Sequence, residues 1–206
     1  MDGFRALAYI QNGGCTLVSR NGNAFASFDD LCTTIPQELL TTDAVLDGEI
    51  VCLDSKGKSQ FNELLFHRGI ARFYAFDLLW LNQQDIRDVP LLERKQKLCK
   101  SISPESTSLL YLDQLHEKGE ALFELVCLHD LEGIVAKHWN RPYSPEAQPA
   151  WVKIKNPGYS QSIGRNELFE RRFEQRATAD AFPDWASRVA ACSEVAARGG
   201  SELLEI

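Results

Sequence analysis

The residues best placed to do chemistry are two lysines in Trp151-Val152-Lys153-Ile154-Lys155 and the carboxylate that opens Glu132-Gly133-Ile134-Val135-Ala136-Lys137. Both segments alternate apolar and charged residues as strands do. A period of two puts Lys153 and Lys155 on one face, with Val152 and Ile154 on the other. Neighbouring ammonium groups repel each other unless an anion lies over them, and a phosphate is the natural candidate. A carboxylate such as Glu132 close by suits a metal ion or a hydroxyl. Taken alone the pattern also fits a solvated sheet face, so the rest of the chain has to decide.

Three other segments bear on that choice. A strand expected over 45–53 contains Asp47-Gly48-Glu49, which places Asp47, Glu49 and Val51 on one face and Leu46, Gly48 and Ile50 on the other. Two carboxylates on one face of an apolar strand are costly to bury unless they bind something; surface exposure is the plainer alternative. The run over 70–81, with Phe73-Tyr74-Ala75-Phe76-Asp77, reads as a central strand whose rings either fill the core or offer a platform for a flat base. Arg20 sits in Ser19-Arg20-Asn21-Gly22, at the end of a hairpin. No Walker-type glycine loop, dinucleotide fingerprint or Ser-His-Asp arrangement is present. A pocket with this content would stack a purine, bind ribose hydroxyls through carboxylates and hold a phosphate with lysines and an arginine.

The elements that must position these groups follow from periodicity. A hairpin is expected over 4–10 and 15–20 around Asn12-Gly13-Gly14, then a helix over 27–40 that Pro36 must kink or split. Shorter helices are expected over 60–68 and 91–99, and a strand over 109–112. An amphipathic helix over 117–129 would turn Ala121, Leu122, Leu125 and Leu128 inward. Residues 166–176 and 185–198 read as helices, too little for a second β domain.

With 206 residues and 44% hydrophobic content the chain suits one globular domain, or one and a half, and its net charge of −7 argues against a globally basic coat but not against a local basic groove. No apolar run approaches the roughly 20 residues of a membrane span and no signal peptide opens the chain, so a soluble, cytoplasmic protein without a membrane partner is expected. Cys15, Cys32, Cys52, Cys99, Cys127 and Cys192 form no CxxC pair and read as reduced core residues; the four histidines are equally dispersed.

In order along the chain these segments resemble the covalent nucleotidyltransferases, and among them the ATP-dependent DNA ligases. Asp2-Gly3-Phe4-Arg5 is similar to the end of the family's Lys-x-Asp-Gly-x-Arg signature, and Ser19-Arg20-Asn21-Gly22 to its second motif. Leu46-Asp47-Gly48-Glu49-Ile50-Val51 resembles the third motif, and Phe73 to Leu78 the aromatic one. The Glu132 and Trp151 segments resemble the fourth and fifth. Residues 159–170 resemble bacterial relatives of the end-joining type.

The resemblance implies an α+β fold of antiparallel sheets flanked by helices, the ligase and capping-enzyme nucleotidyltransferase fold, ATP-grasp-like. It implies a domain over 1–165 and a helical tail over 166–206 without an OB-fold domain. ATP (as AMP) and Mg²⁺ are the implied cofactors, and nicked double-stranded DNA and end-joining proteins the implied partners. Glu49 would bind the ribose, Phe76 would stack on adenine, and Glu132 with Asp47 would serve the metal. Lys153 and Lys155 would act on the α-phosphate, while Arg5 and Arg20 would hold the sugar-phosphate or the 5′-phosphate of a nick. The implied reaction passes AMP from ATP to a lysine, then to the DNA 5′-phosphate, and a 3′-hydroxyl displaces it.

One departure matters. In the family the attacking lysine stands two residues before the Asp of the first motif, so here it is expected immediately before Met1, together with a first strand that this sequence lacks. A fragment or a late start is one reading. A non-catalytic paralogue that binds nucleotide or nicked DNA is a second, and a decayed remnant a third. RNA ligases and capping enzymes share the chemistry and remain the alternative class.

Overall fold

Asn12 and Gly13 both adopt positive φ, 52° and 80°, as a two-residue hairpin turn of the primed type requires. They join β1 (Phe4–Gln11) to β2 (Gly14–Ser19). In this computed structural model, which describes residues 2–116, 119–143, 151–160 and 202–205, that hairpin edges a mixed sheet. Its strands run in the order β2, β1, β3 (Asp43–Cys52), β4 (Ala71–Leu81), β5 (Gln84–Asp85), antiparallel throughout; β6 (Leu109–Tyr111) joins β4 in parallel.

Alternation along the strands sorts the two faces. Ala6, Ala8, Ile10, Leu46, Ile50, Phe73 and Leu78 enter the main core with Leu31 and Ile35 of α1 (Asp29–Glu38) and Leu98 of α3 (Leu91–Ser101). The opposite face carries Tyr9, Val45 and Leu79. The short α2 (Phe61–Leu65) buries Phe61, Leu64 and Leu65. Register between β3 and β4 slips twice, so that Phe76 and Leu79 have no cross-strand partner on β3. Such bulges re-aim side chains, and here one of them sits under the aromatic motif.

A second, antiparallel sheet has the order β7 (Leu115–His116), β10 (Glu202–Glu205), β8 (Gly133–His138), β9 (Trp151–Lys155). The helix α4 (Gly119–Leu128) packs Leu122 and Val126 against Ile134 and Ala136 of β8. The α+β class with helix-flanked sheets is therefore as expected.

Several local expectations are corrected. Pro36 neither splits nor ends its helix, which runs to Glu38; the proline lies in the last turn, where only the bond to the Cys32 carbonyl is lost. In α4 the inward stripe is Leu122, Phe123 and Val126, while Ala121, Leu125 and Leu128 face solvent, because the stripe is set by the β8 residues it covers. Of the five described cysteines, all free, only Cys52 is buried; Cys192 lies outside the described residues. The expected helices over 166–176 and 185–198 lie outside them too, but 202–205, assigned to the helical tail, is a strand inside the second sheet. No helix among the described residues is long and apolar enough to cross a membrane.

Candidate functional site

The two sheets present facing surfaces, and most of the side chains singled out by chemistry, Arg20 and Lys155 excepted, meet between them. Arg5 of β1 reaches diagonally across to Asp47 of β3, its Nε and Nη2 donating to the two carboxylate oxygens at 3.1 and 2.7 Å. The Tyr143 hydroxyl donates to the same carboxylate at 3.0 Å. Burial opposes the charge on Arg5, but the carboxylate of Asp47 more than compensates and holds the guanidinium above its usual pKa. Burial, reinforced by Asp47, pushes the Tyr143 phenol up as well. Asp47 is itself fully buried. Both of its oxygens accept these hydrogen bonds, and the pair aims Arg5 into the cleft.

Arg5 in turn lies 5.1 Å from the centroid of the Trp151 ring on the second sheet and 5.7 Å from that of Phe76 on the first. Phe76 and Trp151 meet edge to face at 5.9 Å. Below them the Lys137 ammonium sits 4.0 Å from the Phe76 centroid and 4.3 Å from that of Trp151. The base platform expected at Phe76 is therefore a ring 7% exposed, fixed by an indole edge and a cation.

Glu49 faces Arg5 across the β1/β3 register. Burial raises its carboxyl to about 7, against the pull of Lys153 and Arg5 and with the push of Glu132. Lys153 donates to Glu132 at 2.7 Å, so Glu49, Glu132 and Lys153 share one mouth of the cleft. Gly133, next to Glu132, has φ +152°, and a Cβ there would lie 2.2 Å from the Ile154 carbonyl. Only glycine lets β8 approach β9 closely enough for that ion pair. Lys155 lies opposite Gly133 and is exposed. Arg20 occupies the exposed turn after β2. Asp2, from the first motif, is buried and accepts a hydrogen bond from the Tyr159 hydroxyl at 2.8 Å, which ties the start of β1 to the segment after β9.

Sequence reasoning missed a layer beneath the cleft. Asp77 of β4 takes a bidentate pair from Arg94 of α3, 2.8 and 2.7 Å, with both side chains buried. Lys95, also buried, donates to the carbonyls of Phe76 and Leu112 at 3.3 and 3.0 Å and pairs with Glu205. Glu205 also pairs with Lys137. The available signal was Asp77 itself, a carboxylate inside an apolar strand that requires a cation. Tyr143 and Glu205 carried none.

No group of three His, Cys, Asp or Glu suited to a metal occurs among the described residues. The donor set of Glu132 with Glu49 nearby fits a hard cation such as Mg²⁺, which keeps several waters and takes much of its coordination from substrate phosphates.

Two facing sheets with this cleft between them define the nucleotidyltransferase fold. Residues 1–155 match the family described as ATP dependent DNA ligase domain, and the chain belongs to that family. Its relatives include the multifunctional non-homologous end joining protein LigD of Mycolicibacterium smegmatis, 29% identical, covering 75% of this chain and 20% of the relative. Among solved structures, the ligase domain of Mycobacterium tuberculosis LigD superposes with a TM-score of 0.64 at 30% identity, over 75% of this chain and 52% of that one. A mycobacterial DNA ligase D complexed with ATP and MES gives 0.62 at 29% identity, with the same coverage. The chain thus spans about half of those solved domains and a fifth of that curated relative.

Proposed function

We propose that this chain supplies the adenylation domain of an ATP-dependent DNA ligase that seals nicks in double-stranded DNA. The observation that supports this best is convergence: Arg5, Glu49 and Phe76 from one sheet meet Glu132, Lys137, Trp151 and Lys153 from the other. In this reading Glu49 binds the ribose hydroxyls and Phe76 backs the adenine. Lys153 and Lys155 hold the α-phosphate and stabilise charge developing there. Arg5, kept charged by Asp47, and Arg20 bind the sugar-phosphate or the 5′-phosphate of the nick. Glu132 serves Mg²⁺, which when bound neutralises phosphate charge. The end-joining names of the relatives support a DNA-repair setting with end-joining partners, and a cytoplasmic location goes with that reading.

The test is calorimetric titration of ATP with Mg²⁺, followed by sealing of a nicked duplex whose 5′-phosphate already carries AMP. Binding and sealing are expected, both abolished by Lys153→Ala and Glu49→Ala in folded protein. Failure of the parent chain to bind ATP overturns the proposal, and sealing of RNA in preference to DNA moves it to the RNA ligases.

A further inference from the structure

Strand β10 stands in the middle of the second sheet. Leu203 and Leu204 pair with His116 and Leu115 of β7 on one side, and 202–205 pair with 135–138 of β8 on the other. Without β10 the sheet would be divided, with β7 separated from β8. At its end Glu205 is 3% exposed and carries a carboxylate shared by two buried ammonium groups.

Those two lysines belong to different parts of the molecule. Lys95 lies on α3, packed on the first sheet and bonded to the carbonyl of Phe76. Lys137 lies on β8 of the second sheet, with its ammonium against the Phe76 and Trp151 rings. Two like charges this deeply buried are tolerated only with a counter-charge between them. Glu205 is that counter-charge. Removing it leaves two buried ammonium groups facing each other, and Lys137, whose pKa is already lowered by burial, has the easier escape by losing its proton or rotating away from the rings.

We infer that Glu205 is a positioning residue for the nucleotide cleft: through Lys137 it fixes the Phe76 and Trp151 rings, and through Lys95 the backbone of Phe76, so that strand β10 and nucleotide binding are thermodynamically linked. This inference rests on the nucleotide-cleft reading above. Linkage is reciprocal, so a bound nucleotide must in turn hold β10 in the sheet.

The experiment uses the full chain, with ATP and Mg²⁺ as the probe, measured by calorimetry beside melting curves. Glu205→Gln keeps the shape and loses the charge. Its ATP affinity is expected to fall about tenfold or more, the scale of one charge-assisted hydrogen bond. Glu205→Asp, which keeps the charge, is expected to recover most of that loss. In a Lys137→Met background Glu205→Gln is expected to cost clearly less affinity than in the parent, because one of its two contacts is already gone and only the one to Lys95 is left to lose. Equal affinity of Glu205→Gln and the parent, or full additivity with Lys137→Met, overturns the inference. Should Glu205→Gln fail to fold, hydrogen exchange on the unaltered chain decides. ATP is expected to slow exchange of the amides in 202–205, and an unchanged rate at saturating ATP refutes the linkage. A parent chain that does not bind ATP at all fails the underlying reading instead, which separates the two.

Discussion

Glu49→Gln tests the electrostatics of the cleft without any ligand. Burial holds the Glu49 carboxyl up to about 7, against an ordinary 4.5. A group that binds its proton more tightly in the folded chain stabilises that state least once it must ionise. Stability therefore declines as pH rises from the unfolded value through the folded one, and is level above it. That difference corresponds to about 3 kcal/mol, to be treated as an upper figure because Glu49 retains some contact with solvent. Glutamine keeps the shape and has no proton to lose. The variant is expected to match the parent at about pH 4 and to melt roughly 6–12 °C higher at about pH 8, from the slope of about 2–4 °C per kcal/mol for a domain of this size. The assay is a set of melting curves across that range for both proteins. A gap that does not change with pH would refute the reasoning, since it would mean that Glu49 is not held protonated by burial. The same substitution is expected to weaken ATP binding, so stability and affinity should move in opposite directions above neutrality.

Other outcomes follow from packing. Leu122→Ala should cost about 2–5 kcal/mol in urea unfolding, as buried leucines do, whereas Leu128→Ala should stay within about 0.5 kcal/mol; Leu122 is 5% exposed and Leu128 78%. Gly133→Ala forces a Cβ to 2.2 Å from the Ile154 carbonyl, so melting should drop and the amides of β8 and β9 should lose exchange protection. Asp77→Asn leaves the buried Arg94 without its counter-charge and should destabilise by about 3–5 kcal/mol in denaturant titration.

Much of this molecule could be read from its residues. Asn12-Gly13 announced the hairpin because few other pairs accept two positive φ angles in succession; alternation located β3, β8 and β9, and β4 showed instead as a long apolar and aromatic run, buried along most of its length. The candidate site was legible where charged residues recur in adjacent strand segments, as with Lys153 of β9 beside Glu132 just before β8. It was not legible where tertiary packing chooses between equivalent options. Residues 121–128 carry leucines and a valine around most of the helix circumference, and only the position of Ile134 and Ala136 selects Leu122 and Val126. The partners of Asp47 could not be read from its type, since Tyr143, which donates to it, is 96 residues away. Nothing in Glu202-Leu203-Leu204-Glu205 says which strands it will join.

The place of β10 also sets a schedule for folding. The first sheet is assembled from contacts within residues 4–111, most of them between consecutive strands, and can form while later parts of the chain are still being made. The second sheet cannot: β7 and β8 have to wait for a strand that lies more than sixty residues downstream of β8. Closing so long a loop is slow. During synthesis the half-built sheet presents the edge of β8 to the cell, a stretch open to pairing with other chains. Expression yield and chaperone dependence of this protein should therefore track the speed with which β10 arrives, rather than the stability of the large sheet that makes up most of its core.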